Sequence, residues 1–249
     1  MASVGVFDSG VGGLSVLAEI RRIAADLSVV YLADQAWAPY GERRLREVRS
    51  RSVAIARYLI DHDCDPIVVA CNSASAAALH HLREVFSDKR FIGMEPAVKP
   101  AASQSERGVI GVLATEATFQ GELYASVVGR HANATEVVEQ ACLGLAAAVE
   151  RLGPDHPETI ELLATYVDPL LAAGADTIVL GCTHYPFLMP AIRRLAGDTV
   201  SVIDPAPAVA RQAIRLVGEE PRRAGKTTFL TTGDPAAFAV QVESLLGVG

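Results

Sequence analysis

The sequence predicts an α/β protein made of two pseudo-symmetric, doubly wound domains, each with a parallel sheet, and a cleft between them. Short β-branched runs alternate with longer segments of helical periodicity, the rhythm expected of βαβ units covered on both faces. After Pro96 the rhythm restarts and aligns with the first half. Gly5-Val6-Phe7-Asp8-Ser9 falls on Gly111-Val112-Leu113-Ala114-Thr115 at an offset of 106, Val68–Asn72 on Val179–Thr183 at 111, and Glu95-Pro96-Ala97 on Asp204-Pro205-Ala206 at 109. A repeat this long is no solenoid period. It indicates two similar halves that each bury a core.

The elements follow in order. VGVF is a strand, and LSVLAEIRRIAADL carries apolar residues at helical spacing. VVYLA and the helical LREVRSRSVAIARYLI make the second unit, PIVVA and SASAAALHHLREVF the third, and RFIG a fourth strand. GVIGVLA, TEVVEQA, DTIVLG and VSVID supply four strands to the second half. The tail reads as a helix (AVARQAIRLVG), a charged turn, a strand (KTTFLTT) and a last helix (PAAFAVQVESLLG). Because the second half already has its four strands, the tail is expected to cross back and complete the first. The predicted domains are residues 1–96 with 208–249, and 97–207, joined by short crossings because no Pro/Gly/Ser-rich tether occurs.

Composition narrows the function. The 249 residues are half hydrophobic and one-fifth charged, ordinary for a globular chain. With 22 Lys and Arg against 29 Asp and Glu, the net charge of −7 has the wrong sign for general binding to phosphate backbones, so nucleic acid is not an expected ligand. The N-terminus has no basic leader before an apolar stretch, and no run reaches the roughly 18 apolar residues of a membrane span. A soluble, cytoplasmic protein is expected, with its four cysteines as free thiols. None pairs in a C-x-x-C motif, which leaves no zinc-ribbon or dithiol redox signature.

Two of those thiols stand out. Cys71 and Cys182 each follow an apolar run and open a polar turn, at the carboxyl ends of parallel strands where such sheets bind ligands. Ser73 or Ser75 would cap the helix after Cys71, whose thiol would then be lowered from about 8.5 by the helix terminus. Cys182 has His184 two residues on, a titratable neighbour, with Pro186 suited to a helix start. Cys64 and Cys142 read as buried small apolar residues.

Other motifs carry weaker signals. FDSGVGGLSVL sets Asp8 and Ser9 after the first strand, before glycines that let backbone approach a ligand; Asp8 could instead cap the following helix, but a site role is favoured because it ends the first strand, level with Cys71 on the third. It is no dinucleotide fingerprint, since Ser15 stands where the third glycine belongs. RRAGKTTF echoes the end of a phosphate-binding loop but has Glu220 in place of the upstream glycine, so it reads as a turn into a strand. None of the three lysines ends a strand, which leaves a pyridoxal Schiff base without a home, and His80-His81 reads as a solvated helix face. The loop DQAWAPYGERR is polar and aromatic, able either to close over a small substrate or to serve as a surface turn.

Taken together, VFDSGVGGLSVL, DQAWAPYG, ACNSASAA, EPAVKPA and GCTHYP, in this order over roughly residues 4 to 210, closely resemble the cofactor-independent glutamate racemases of the aspartate/glutamate racemase superfamily. The resemblance implies that Cys71 and Cys182 are the acid/base pair on opposite faces of a substrate Cα. Cys71 would take the proton from D-glutamate and Cys182 from L-glutamate, assisted by Asp8 and His184, with Glu150 orienting the histidine. It implies substrate contacts from Asp8, Ser9, Pro39, Tyr40, Gly41, Asn72, Ser73, Thr118 and Thr183 besides the two cysteines and His184. Ser73 stands where the family usually has Thr, Ala114 and Ala117 where it has Gly, and Trp37 at a variable position.

The chemistry accords with the resemblance: racemisation removes an α proton from one face and returns it to the other, so two groups must flank one carbon. The implied function is production of D-glutamate for peptidoglycan by a homodimer that uses no cofactor or metal. The lack of a long N-terminal extension points to an enzyme that needs no activator. Alternatives are racemisation of aspartate, another amino acid or a hydantoin, or a regulatory protein that has kept the cleft without the chemistry.

Overall fold

A computed structural model describes residues 3–132, 135–218 and 225–247. The first half runs β1 (Ser3–Asp8), α1 (Leu14–Ile23), β2 (Val29–Ala33), α2 (Leu45–Asp61), β3 (Cys64–Val69), α3 (Asn72–Val85), β4 (Phe91–Gly93) and α4 (Val98–Gln104). The second runs β5 (Val109–Ala114), α5 (Glu116–Phe119), α6 (Glu122–His131), β6 (Glu136–Ala141), α7 (Leu145–Leu152), α8 (Pro157–Ala172), β7 (Thr177–Gly181), α9 (Met189–Ala196) and β8 (Ser201–Ile203). The tail adds α10 (Ala206–Val217), β9 (Thr227–Thr231) and α11 (Pro235–Leu246). Every strand read from the sequence is present. Glu220 and the charged turn around it lie outside the described residues.

The strands form two sheets, β4-β3-β1-β2-β9 and β6-β5-β7-β8, with every pairing parallel. Matching β1 to β5, β2 to β6, β3 to β7 and β4 to β8 gives the same strand order in both, so the repeat seen in sequence is a repeat of topology. The tail strand β9 pairs with β2 and extends the first sheet, as expected.

The central strands are apolar on both faces because helices cover both. Val4 and Val6 of β1 enter one core and Phe7 the opposite one, the period-two alternation of a pleated strand. In the second sheet Ile110 and Val112 pack on one side and Leu113 on the other. Among the described residues four buried clusters result, two to a sheet. No helix among the described residues is long and apolar enough to cross a membrane.

Candidate active site

The carboxyl ends of the two sheets face each other around a cavity of about 790 Å³. Cys71, just beyond β3, and Cys182, just beyond β7, both line it. The matched turns of the repeat thus bring one thiol from each sheet to a single space.

Cys71 is itself the N-cap of α3: its extended backbone (φ −140°, ψ 123°) lets Sγ accept the Ala74 N–H at 3.4 Å. The sequence expectation gave that cap to Ser73 or Ser75. Ser75 instead points back into the fold, donating to the Val69 carbonyl at 3.0 Å and accepting the Met94 N–H at 2.9 Å. A second expectation also fails. Burial pushes the Cys71 thiol above its ordinary range, with the Asp8 charge adding to the effect, and the helix amide only partly opposes them. Local capping geometry favours thiolate, but removing the sulfur from water outweighs it.

Around Cys182 the structure builds a relay. His184 Nδ1 lies 3.6 Å from Cys182 Sγ, and Nε2 lies 2.7 Å from Glu150 Oε1. Burial alone would lower His184, but its contacts with Cys182 and Glu150 outweigh that and hold it well above the usual imidazole value. Burial likewise raises Glu150, yet the His184 hydrogen bond and charge bring its carboxyl below the usual range. The two shifts agree on an imidazolium–carboxylate pair. With both ring nitrogens protonated, Nε2 donates to Glu150 and Nδ1 presents a donor to the Cys182 sulfur.

Asp8 lies behind this pair, fully buried. It accepts hydrogen bonds from the Ser9 hydroxyl at 3.0 Å, the Thr183 hydroxyl at 3.0 Å and the Gly13 amide. Its carboxyl thus binds the start of α1, as the helix-capping alternative expected, and also reaches across to the second sheet. Burial raises its carboxyl, against the opposing charge of His184.

The glycines after Asp8 serve a purpose the sequence did not reveal. A Cβ at Gly10 would collide with Glu150 Oε1, and one at Gly12 would lie 2.5 Å from both His184 Nδ1 and Thr183 Oγ1. These positions make room for the side chains of the opposite half, where an approach to ligand was expected. The freed Val11 N–H donates to Glu150 Oε1 at 3.1 Å.

The loop after β2 is anchored from within. Buried Asp34 receives a bidentate pair from Arg51 at 2.6 and 2.7 Å, the Tyr40 hydroxyl at 2.5 Å and the Thr232 hydroxyl at 2.8 Å. Burial would raise Asp34, but these donors hold it below the usual carboxylate range. With its hydroxyl committed to Asp34, Tyr40 lines the cavity. Pro39 and Gly41 line the same wall.

Ser9, Asn72, Ser73, Thr183 and His184 also line the cavity. The Asn72 amide is buried with neither its nitrogen nor its oxygen hydrogen-bonded among the described residues, an arrangement that suits a polar ligand. Two expected substrate contacts, Asp8 and Thr118, do not line it. Thr118 sits next to Thr115, its Oγ1 2.9 Å from Thr115 Oγ1, and it is Thr115, the N-cap of α5, that lines the cavity. Thr115 is the repeat partner of Ser9, a signal that could have found it. Gln241, on the tail helix, also reaches the cavity and carried no motif. Cys142 packs in the second core, as expected, and touches the cavity wall; burial pushes its thiol up to about 12.

Known proteins are similar to this chain in sequence and fold. The sequence profile of the Asp/Glu/Hydantoin racemase family matches residues 4–213. Glutamate racemase of Roseiflexus sp. (strain RS-1) is 50% identical over 248 residues, covering 97% of this chain and 91% of that protein. That of Ectopseudomonas mendocina (strain ymp) is 46% identical over 250 residues, covering 99% and 95%. The crystal structure of glutamate racemase isoform RacE1 from Bacillus anthracis superposes with a TM-score of 0.90 at 33% identity, covering 99% of this chain and 94% of that one. Escherichia coli glutamate racemase, solved with L-glutamate and the activator UDP-MurNAc-ala, gives 0.87 at 30% identity over 99% and 95%. Repeated topology, a thiol from each sheet and similarity over nearly the whole length lead to one assignment: the chain belongs to the Asp/Glu/Hydantoin racemase family.

Proposed function

We propose that this protein interconverts L- and D-glutamate by proton transfer at Cα between two thiols, without a cofactor, and so supplies D-glutamate for peptidoglycan. The observation that carries the reading is the meeting of Cys71 and Cys182, one from each sheet, on the walls of one cavity. Similarity to glutamate racemases along nearly the whole chain supports glutamate over other substrates.

In this reading Cys71 removes the α proton of D-glutamate while Cys182 delivers one to the opposite face, and the roles reverse for L-glutamate. The incoming α-ammonium brings positive charge close to a thiol that burial has raised, easing its deprotonation as the substrate binds. His184, held as imidazolium by Glu150, steadies charge at the Cys182 sulfur. Asp8 positions Ser9 and Thr183 and works through them, since it lies behind the cavity wall. Ser9, Asn72, Ser73, Thr183 and the Pro39-Tyr40-Gly41 wall hold the substrate's polar groups, and the α3 amides next to Cys71 stabilise the developing carbanion.

The same reading treats residues 1–96 with 208–249, and 97–207, as two units that part to admit substrate and close to exclude water. It includes a cytoplasmic homodimer, which sedimentation of the purified chain tests directly. The decisive experiment follows the circular dichroism of D-glutamate with no added cofactor, beside aspartate. Decay of the glutamate signal alone is expected. Decay with aspartate alone would transfer the reading to that substrate, and no decay with either would favour a regulatory binding protein.

A further inference from the structure

The tail helix α11 carries a side chain that no motif marked and that reaches the backbone of Glu150 in the relay. Gln241 donates through Nε2 to the backbone carbonyl of Glu150 at 3.1 Å. Its Oε1 accepts from Gln35 Nε2 at 2.7 Å, and Gln35 Oε1 in turn accepts from the Thr231 hydroxyl at 2.8 Å. The direction of the whole chain is set at one end: a carbonyl has no proton to give, so Gln241 must present its NH₂ there and its oxygen to Gln35.

The chain links three pieces of the fold. Gln35 stands at the head of the loop whose Pro39, Tyr40 and Gly41 line the cavity, Gln241 lies on α11, and Glu150 lies on α7. Helix α7 is only eight residues long, and the residue before its N-terminal glycine, Leu143, is 67% exposed. Glu150 is therefore held from the first sheet at both ends, its carboxylate by the Val11 amide and its carbonyl by Gln241.

We infer that Gln241, backed by Gln35 and Thr231, is a positioning residue that holds Glu150 against His184, so that the tail of the chain tunes the thiol of the opposite half. The inference rests on the proposed racemase reading for its kinetic consequence only. The titratable groups facing His184 are Glu150 from α7, Cys182 at the end of β7 and Asp8 at the end of β1. Of these, only Glu150 is held by the glutamine chain. Loosening it weakens the carboxylate's hold on the imidazolium, which then loses its proton at lower pH.

The test uses Gln241→Met, which keeps the volume and removes both hydrogen bonds, with Gln35→Met as the variant remote from the cavity. With the parent chain first shown to racemise glutamate, Gln241→Met is expected to lower kcat/KM about fivefold, the effect of losing the one hydrogen bond to Glu150, and to move the basic limb of its pH profile to lower pH. Gln35→Met should act in the same direction, and the double variant should be no worse than Gln241→Met alone, because the side chains act as one unit. The His184 titration followed by NMR should also move to lower pH in Gln241→Met, a readout that does not depend on turnover. If the parent chain does not racemise glutamate, the functional reading fails and the titration alone decides the positioning role. A folded Gln241→Met whose His184 titration is unmoved overturns the inference, whatever its activity. If that variant does not fold, the same titration in Gln35→Met decides.

Discussion

Glu150 Oε1 accepts hydrogen bonds from two residues at once, His184 Nε2 at 2.7 Å and the Val11 amide at 3.1 Å, so the carboxylate that polarises the histidine of the second sheet is itself seated on the glycine turn of the first. The contact that joins the two sheets here is part of the relay itself.

The two-thiol reading makes a direct demand. Cys71→Ala and Cys182→Ala should each lower racemisation by roughly 10³-fold or more while leaving far-ultraviolet dichroism and Tm near those of the parent chain. Polarimetry of both enantiomers measures it. Either variant racemising near the parental rate would end the two-thiol account.

His184→Asn should reduce turnover more strongly from L-glutamate than from D-glutamate, because its imidazole touches only the sulfur assigned to that face. The enantiomers have equal free energies in water, so kcat/KM must fall equally in both directions. The asymmetry belongs in kcat, and an equal loss of kcat in both directions would count against the face assignment.

Stability should depend on pH through the same pair. His184 is raised in the folded state, so its contribution is full below its ordinary 6.5 and is lost as pH rises through the folded value. Glu150 is lowered, so its contribution is full above its ordinary 4.5 and is lost as pH falls through the folded value. Glu150→Gln should thus cost on the order of 2 kcal/mol, most strongly between those two values, with the Tm difference narrowing on either side. A Tm difference that does not vary with pH would show that the pair is not ionised as described.

Gly10→Ala should lower kcat/KM by about tenfold or more. Its Cβ would occupy the place of Glu150 Oε1, so either the carboxylate turns away from His184 or the two halves part. Parental kinetics in a folded Gly10→Ala would show that this contact does not matter in solution.

The Cys71 thiol should react slowly in the free protein. It is buried and raised, so alkylation by iodoacetamide, followed by peptide mass spectrometry, should be slower than for free cysteine at neutral pH and should keep climbing as pH rises. A plateau near neutrality would reveal a preformed thiolate.

Much of this was legible in the linear chain because the signals are short-range. β-Branched runs between helical periods located every strand, and the restart after Pro96 matched the strand order that the two sheets share. Cys71 and Cys182 could be paired because each follows an equivalent strand. Asp34 and Tyr40 were visible as members of a polar loop, but their mutual bond and the Arg51 clamp were not.

The sequence by itself determined the two α/β halves, the thiol at the end of a strand in each, and the family resemblance that made Glu150 a partner for His184. Tertiary structure alone decided which groups face the cavity and how they are charged. Thr115 and not Thr118 lines the cavity, with the Thr118 hydroxyl bonded to that of Thr115. Cys71 was raised, not lowered, because desolvation depends on the whole packed surroundings and not on its own helix end. Val11 meets Glu150 across 139 residues and Gln241 meets it across 91. These two contacts join groups of different sheets, and no local pattern of side chains encodes them.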